Sequence, residues 1–352
     1  MIRFMRKDRL PIVILCIVWV ALFALGGYAA ALRLRSDSPD ALIRTAAETA
    51  KPTSAPVIVA ASATPVPSER PVWVTAAPDS DDGAQPAPFW SQGILRRSDS
   101  YRSPTLSVTV TKVRDTESFR CISVYYVADI HVKDVTQIKT ASTTGNFAKR
   151  SHGDVESTAK KNASLVAISG DYYSAHRNGL VVRNGTVFRQ TTGFGDVCVL
   201  LKNGVMKTIL KEDVNVESIL KEDPWQVWEF GPALLDENGN ARTSFPGTKI
   251  GGENPRCCIG YVEPGHYYFV VADGRVKATR GMTLVDLAKL MESLGCTVAY
   301  NLDGGASAHF FWNGAIRNHP SGGGREISDI IFVAKESYPA SRFFCGNGGT
   351  KK

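Results

Sequence analysis

Leu180-Val181-Val182-Arg183-Asn184-Gly185-Thr186-Val187-Phe188-Arg189 is the stretch that decides the class of fold. Two apolar runs rich in β-branched residues flank an Asn-Gly pair, whose ready positive φ angles close a two-residue hairpin with the twist that paired strands need. The pattern recurs at Asn203-Gly204, Asn238-Gly239, Asp273-Gly274 and Asn313-Gly314, each flanked by apolar runs. Recurrence on this scale predicts a domain built from antiparallel hairpins. Leu106, Val108 and Val110 alternate with Ser and Thr, and Cys121 to Ala128 is β-branched and aromatic, so both read as strands. Helices are fewer. Thr283 is placed to cap one that presents Leu284, Leu287, Ala288, Met291 and Leu294 on one face and stops at Gly295, and residues 154–162 suit a shorter one. The expected class is α+β: mostly antiparallel, hairpin-rich sheets with a few packed helices in a single domain over residues 105–337.

The flanking segments have a different character. Arg3, Arg6, Lys7 and Arg9 form a basic tail over residues 1–9, and residues 10–32 carry no charge. Those positions span roughly 35 Å as a helix, enough for a hydrocarbon core of about 30 Å, so the segment reads as a transmembrane signal anchor; a cleaved signal peptide and a buried helix are the competing readings. Residues 33–104 read as a linker, because residues 50–88 hold 8 of the 18 prolines amid Ala, Ser and Thr and should be stiff and extended. This arrangement puts the domain on the outer side of a cell membrane, with residues 338–352 as a Gly-rich tail.

The formal charge of +7 suggests nucleic acid only until it is located. Residues 1–44 carry seven Lys/Arg against three Asp, which leaves +3 for all the rest, too little for a nucleic-acid footprint. Six of the seven cysteines lie beyond the apolar span, an even set that permits disulfides in an oxidising compartment, with no pairing favoured. No Cys-x-x-Cys occurs, so a structural zinc site is not expected. Oligomeric state is not legible.

Four stretches carry candidate chemistry. After the 283–294 helix, Cys296 to Tyr300 reads as a strand that runs into Asn301-Leu302-Asp303-Gly304-Gly305-Ala306-Ser307. A carboxylate followed by two glycines suits an anion nest of backbone N–H groups, although a plain turn explains Asp-Gly equally well. Leu165 to Ile168 leads likewise into Ser169-Gly170-Asp171-Tyr172-Tyr173-Ser174, with His176 nearby, as a sugar-binding edge or a solvated loop. Arg256 precedes a short apolar segment, and Arg325 follows the tract Gly322-Gly323-Gly324; a guanidinium fork suits a phosphodiester, while a lone Arg is commonly surface charge.

Together these stretches resemble the phosphodiester glycosidase family, which has membrane-anchored and exported bacterial members, over roughly Leu106 to Lys335. The most specific element is Ala299 to Ser307, similar to the family's Asn-Leu-Asp-Gly-Gly-Gly-Ser; Ile168 to Tyr173, Gly179 to Gly185, Phe230-Gly-Pro-Ala-Leu234, and Asn254-Pro255-Arg256 with Ile259-Gly260 support it. Ala306 departs from the third Gly, and Ser169 from a common Asn. The resemblance implies hydrolysis between a sugar's anomeric carbon and a phosphodiester, as in cell-surface polysaccharide. It assigns Asp303 and Asp171 the acid, base or nucleophile duties, Arg256 and Arg325 the phosphate, and the Gly304-Gly305 backbone an anion nest. Asn301, Ser307, His176 and Tyr172 would orient the sugar or a water. No cofactor and no metal is expected at the site, with a calcium ion on loop carboxylates left open; the partners expected are a phosphorylated carbohydrate and, through the N-terminal helix, the membrane. The alternative function is a non-catalytic module that binds cell-surface polysaccharide. A metal-dependent phosphodiesterase lacks the His and Asp density such sites need.

Overall fold

The computed structural model describes residues 88–336 except Gln92 and Arg120. The basic tail, the apolar span, most of the linker and the Gly-rich tail expected from the sequence lie outside the described residues; among those described, no helix is long and apolar enough to cross a membrane. In chain order the strands are β1 (Leu95–Arg96), β2 (Ser100–Arg102), β3 (Leu106–Asp115), β4 (Ser123–Val132) and β5 (Ile138–Ser142), then helix α1 (Val155–Lys161). Next come β6 (Ser164–Ser169), β7 (Leu180–Arg183), β8 (Thr186–Gln190), β9 (Val197–Leu201), β10 (Met206–Ile209), α2 (Val216–Lys221) and β11 (Pro224–Trp228). The chain continues through β12 (Arg256–Glu263), β13 (His266–Ala272), α3 (Leu284–Ser293), β14 (Val298–Asn301), β15 (Phe310–Trp312), β16 (Ala315–Ile316) and β17 (Asp329–Ala334).

These strands form three sheets in the orders β1-β2-β3-β4-β13-β12-β14, β10-β9-β11-β7-β8 and β16-β15-β6-β17-β5. Every pairing between named strands is antiparallel, as the expected α+β class requires. The main core lies between sheets and takes alternate residues of each strand. Tyr126, Ala128, Ile130 and Val132 of β4 and Tyr267, Phe269 and Val271 of β13 meet Val166 and Ile168 of β6 there. The residues between them, Tyr125 and Val127 of β4 and Tyr268 and Val270 of β13, face a second core with α3. Both faces are covered, which is why these strands are nearly continuous apolar runs.

Helix α3 buries Leu284, Leu287, Ala288, Leu290 and Met291, and each large apolar side chain contributes roughly 1.5–3 kcal/mol. Its start is a capping box: the Asp286 N–H donates to the Thr283 hydroxyl at 3.0 Å, and the Thr283 N–H donates to the Asp286 carboxylate at 3.2 Å. It ends at Gly295, whose φ of 77° suits a residue without Cβ. The helix approaches β12 so closely that a Cβ on Gly260 would stand 2.3 Å from Met291 Cε.

Three of the five expected turns join paired strands: Asn184-Gly185 links β7 to β8, Asn203-Gly204 links β9 to β10, and Asn313-Gly314 links β15 to β16. Asn238-Gly239 closes only a single bridge, Leu235 to Ala241. Asp273-Gly274 makes no hairpin. Instead the Asp273 N–H donates to Val124 O at 2.8 Å and its carboxylate accepts from Asn318 and His319, while Gly274 packs against the backbone of Pro255 and Gly281. The domain also begins earlier than expected: β1 and β2 extend the large sheet into the segment read as linker, with Tyr101 buried opposite Val108. Cys198, Cys257, Cys258 and Cys296 are thiols buried in the cores.

Candidate active site

Three strand ends meet where the domain gathers its polar groups. Asn301 of β14 pairs with Cys258 of β12, and the next residue, Leu302, enters the main core while its N–H donates to Cys257 O at 2.8 Å. The Asp303 N–H then donates to Gly170 O, just past β6, at 3.1 Å, and the Arg325 N–H donates to Ala306 O at 3.1 Å. The Asp303–Gly170 bond thus joins loops that are more than a hundred residues apart.

Asp303 and Arg325 form the centre. Arg325 Nη2 lies 3.1 Å and 3.2 Å from the two carboxylate oxygens of Asp303, and its Nε donates to the Ser307 hydroxyl. The Asp303 side chain is 6% exposed and that of Arg325 47%, so the carboxylate is sheltered while the guanidinium keeps one side open. Burial pushes the Asp303 pKa above the ordinary carboxylate range; the Ser307 hydroxyl and Arg325 pull it back, and nearby Asp171 adds to the rise.

An aromatic rim stands beside this pair. The Arg325 guanidinium lies 5.4 Å from the Tyr172 ring centre, and Tyr172 is flanked by His152 at 5.8 Å and His176 at 6.0 Å. His176 in turn lies 3.9 Å from Phe194, which is 40% exposed. Burial, then Arg189 and Arg150, lower the His176 pKa, which favours the neutral imidazole. The expected residues Asp303, Arg325, Ser307, Tyr172 and His176 are therefore gathered together. Asn301 belongs to the floor: its Nδ2 donates to Gly231 O at 2.7 Å, and its buried Oδ1 has no partner among the described residues.

Three expectations are corrected. Asp171 is not open to a ligand: its side chain has no exposed area and accepts from Arg183 Nη2 at 2.7 Å, the Tyr173 N–H at 3.1 Å and the Glu229 N–H at 2.9 Å. Arg183 also bonds Asp329 at 2.9 Å, so one buried guanidinium serves two buried carboxylates. Arg256 does not hold a phosphate either, because its guanidinium donates to the carbonyls of Met282, Ile250 and Gly252. Finally, Gly304-Gly305 is not an anion nest. The Gly305 N–H donates to Pro255 O at 2.9 Å, and a Cβ on Gly304 would stand 2.6 Å from that same oxygen. These glycines let the Asp303 loop lie against the start of β12.

Sequence reasoning missed several members. Arg275 lies over Gly305, where a Cβ would be 3.4 Å from its Nη1, and its Nε donates to Asn254 Oδ1 at 3.1 Å. Glu229 holds the Phe194 loop through the N–H groups of Phe194, Leu180 and Gly195. Burial raises its pKa, which these bonds partly reverse. Its signal was its place beside Phe230-Gly231-Pro232, one of the family-like elements.

A profile of the phosphodiester glycosidase family matches residues 162–334, which span Asp171, Arg183, Glu229, Asp303, Arg325 and Asp329. The domain belongs to that family of hydrolases. Among curated proteins, the chain is 28% identical over 215 residues to an uncharacterised SPbeta prophage-derived protein of Bacillus subtilis strain 168, covering 57% of this chain and 33% of that one. It is 24% identical over 197 residues to mouse N-acetylglucosamine-1-phosphodiester alpha-N-acetylglucosaminidase, covering 50% of this chain and 37% of the enzyme. The chain thus spans about a third of the length of these relatives. It shares the fold of the zebrafish enzyme's catalytic domain, solved in a form auto-inhibited by its pro-peptide, with a TM-score of 0.54 and 21% identity over 70% of this chain and 87% of that one.

Proposed function

We propose that this protein hydrolyses the bond between the anomeric carbon of a sugar and a phosphodiester, outside the cytoplasm, on cell-surface polysaccharide or a related glycoconjugate. The observation that carries the reading is the sheltered Asp303 carboxylate paired with a half-open Arg325 guanidinium beneath Tyr172. Asp303 takes a proton from a water that attacks the anomeric carbon. The carbon–oxygen bond to phosphate breaks, and its electron pair leaves with the phosphate. A phosphate diester departs as a stabilised anion, so one accessible carboxylate suffices and no strong general acid is needed. Arg325 and Arg275 face the phosphate, and Tyr172, His176 and Phe194 offer a shelf for a sugar ring. The 10–32 segment would anchor the chain in the membrane.

The test is to incubate the purified full chain with a UDP-sugar and with a sugar 1-phosphate alkyl diester and to measure free sugar and phosphomonoester. Release of both supports the reading. Retention on polysaccharide without release identifies a binding module instead. The anomeric configuration of the first-formed sugar, read by NMR, then tests the role of Asp303: inversion fits a general base, and retention fits a nucleophile.

A further inference from the structure

We propose a second, independent site: a zinc ion held by Asp129, His131 and His266 on the face of the seven-stranded sheet that carries α3. The strand register builds it. His131 and His266 are direct cross-strand partners on β4 and β13, and Asp129 lies two residues from His131 on the same face. The side chains converge on one oxygen, with Asp129 Oδ1 2.9 Å from His266 Nε2 and 3.3 Å from His131 Nε2. All three ligand atoms lie within 4.8 Å of one another. Two ligand atoms on a tetrahedral zinc, each about 2.0 Å from the ion, stand roughly 3.3 Å apart, close to the two separations from Asp129 Oδ1, so a small rearrangement would bring all three ligands onto one ion.

The donor set selects the metal. Two imidazoles and one carboxylate suit zinc and its first-row neighbours, whereas calcium and magnesium prefer oxygen throughout. The imidazoles are stacked, with centres 4.0 Å apart, so coordination requires one ring to turn about its Cβ–Cγ bond. That torsion is soft, and the His131 side chain is 29% exposed, which leaves it room. Three protein ligands leave a fourth position for water, and the ion would tie β4 to β13.

The site is separate from the one around Asp303. Along β12 and β13, Ala272 pairs with Arg256 at the end near Asp303, and His266 pairs with Glu263 at the opposite end. The proposal therefore does not depend on the glycosidase reading.

The test is calorimetric titration of metal-free full chain with zinc chloride, alongside Asp129→Asn, His131→Ala and His266→Ala, each checked for folding by circular dichroism. The expected result is one equivalent bound, a higher melting midpoint with zinc but not with magnesium or calcium, and binding at least about tenfold weaker in each variant. A cobalt-substituted wild type should show the visible absorption of a four-coordinate site, a readout that needs no variant to fold. Less than one equivalent bound, variants that bind like wild type, or a six-coordinate cobalt spectrum would overturn it.

Discussion

Arg183 holds Asp171 from inside the protein, Nη2 to Oδ1 at 2.7 Å, with neither side chain exposed. Asp303, tied through its N–H to the residue before Asp171, instead meets the half-open Arg325. Neighbouring carboxylates thus have opposite duties. In the function proposed above the outer one meets the substrate, while the inner one fixes the loop that carries Tyr172. Replacing Asp303 with Asn should leave the melting midpoint near wild type and lower kcat on a sugar-phosphate diester by roughly 10²–10⁴-fold, the span for losing a general base. Turnover at the wild-type rate would remove Asp303 from the mechanism.

The pH profile gives a second handle. Burial already raises the Asp303 pKa, and Arg325 is one of the two groups that restrain it. Arg325→Met should raise it further, so the acidic limb of kcat/KM moves to higher pH as the carboxylate protonates sooner on acidification. Arg325→Lys keeps the charge and loses the fork, so its shift should be smaller and its rise in KM retained. An unmoved acidic limb in the Met variant would show that the limb belongs to another group.

The inner ion cluster predicts stability. Burial and Asp171 push the Asp329 carboxyl well above the ordinary carboxylate range, against the pull of Arg183. A raised folded-state pKa means that this group's contribution is complete below the ordinary carboxylate range, near pH ~4, and is lost as pH rises from there through the raised folded-state value. Urea unfolding should therefore show a decline in stability over that window, and Asp329→Asn should flatten it. Arg183→Met leaves Asp171 buried without its counter-charge and should cost roughly 3–5 kcal/mol. Equal unfolding midpoints for Arg183→Met and wild type would contradict this account.

Gly304 is a test of packing. A Cβ there would lie 2.6 Å from Pro255 O, a backbone atom that cannot swing away. Gly304→Ala should cost about 1–3 kcal/mol and displace Asp303, reducing kcat. Wild-type stability and activity together would show that the loop is not packed as described.

Much of this was legible in the sequence because it was written locally. The turns at Asn184, Asn203 and Asn313, the Thr283 capping box and the Gly295 stop each follow from neighbouring residues. Helix α2 escaped notice because its six residues bury only Ile219, too little for a period to show. The role of Asp171 was misread because its partner Arg183 reaches it across a turn, and Asp329 joins from the last strand. Arg256 looked free because the three carbonyls that occupy it come from loops whose course no local pattern records. Asp273-Gly274 carried a turn signal, but contacts with residues 318 and 319 prevailed.

The position of β17 bears on the order in which its sheet is completed. It is the last strand among the described residues yet lies inside its sheet, between β6 and β5, and Arg325 sits just ahead of it. On a nascent polypeptide β6 and β5 cannot both pair with β17 until residues 329–334 arrive, and Arg325 reaches Asp303 only with that same segment. The sheet and the Asp303–Arg325 pair therefore wait on the same late segment of the domain.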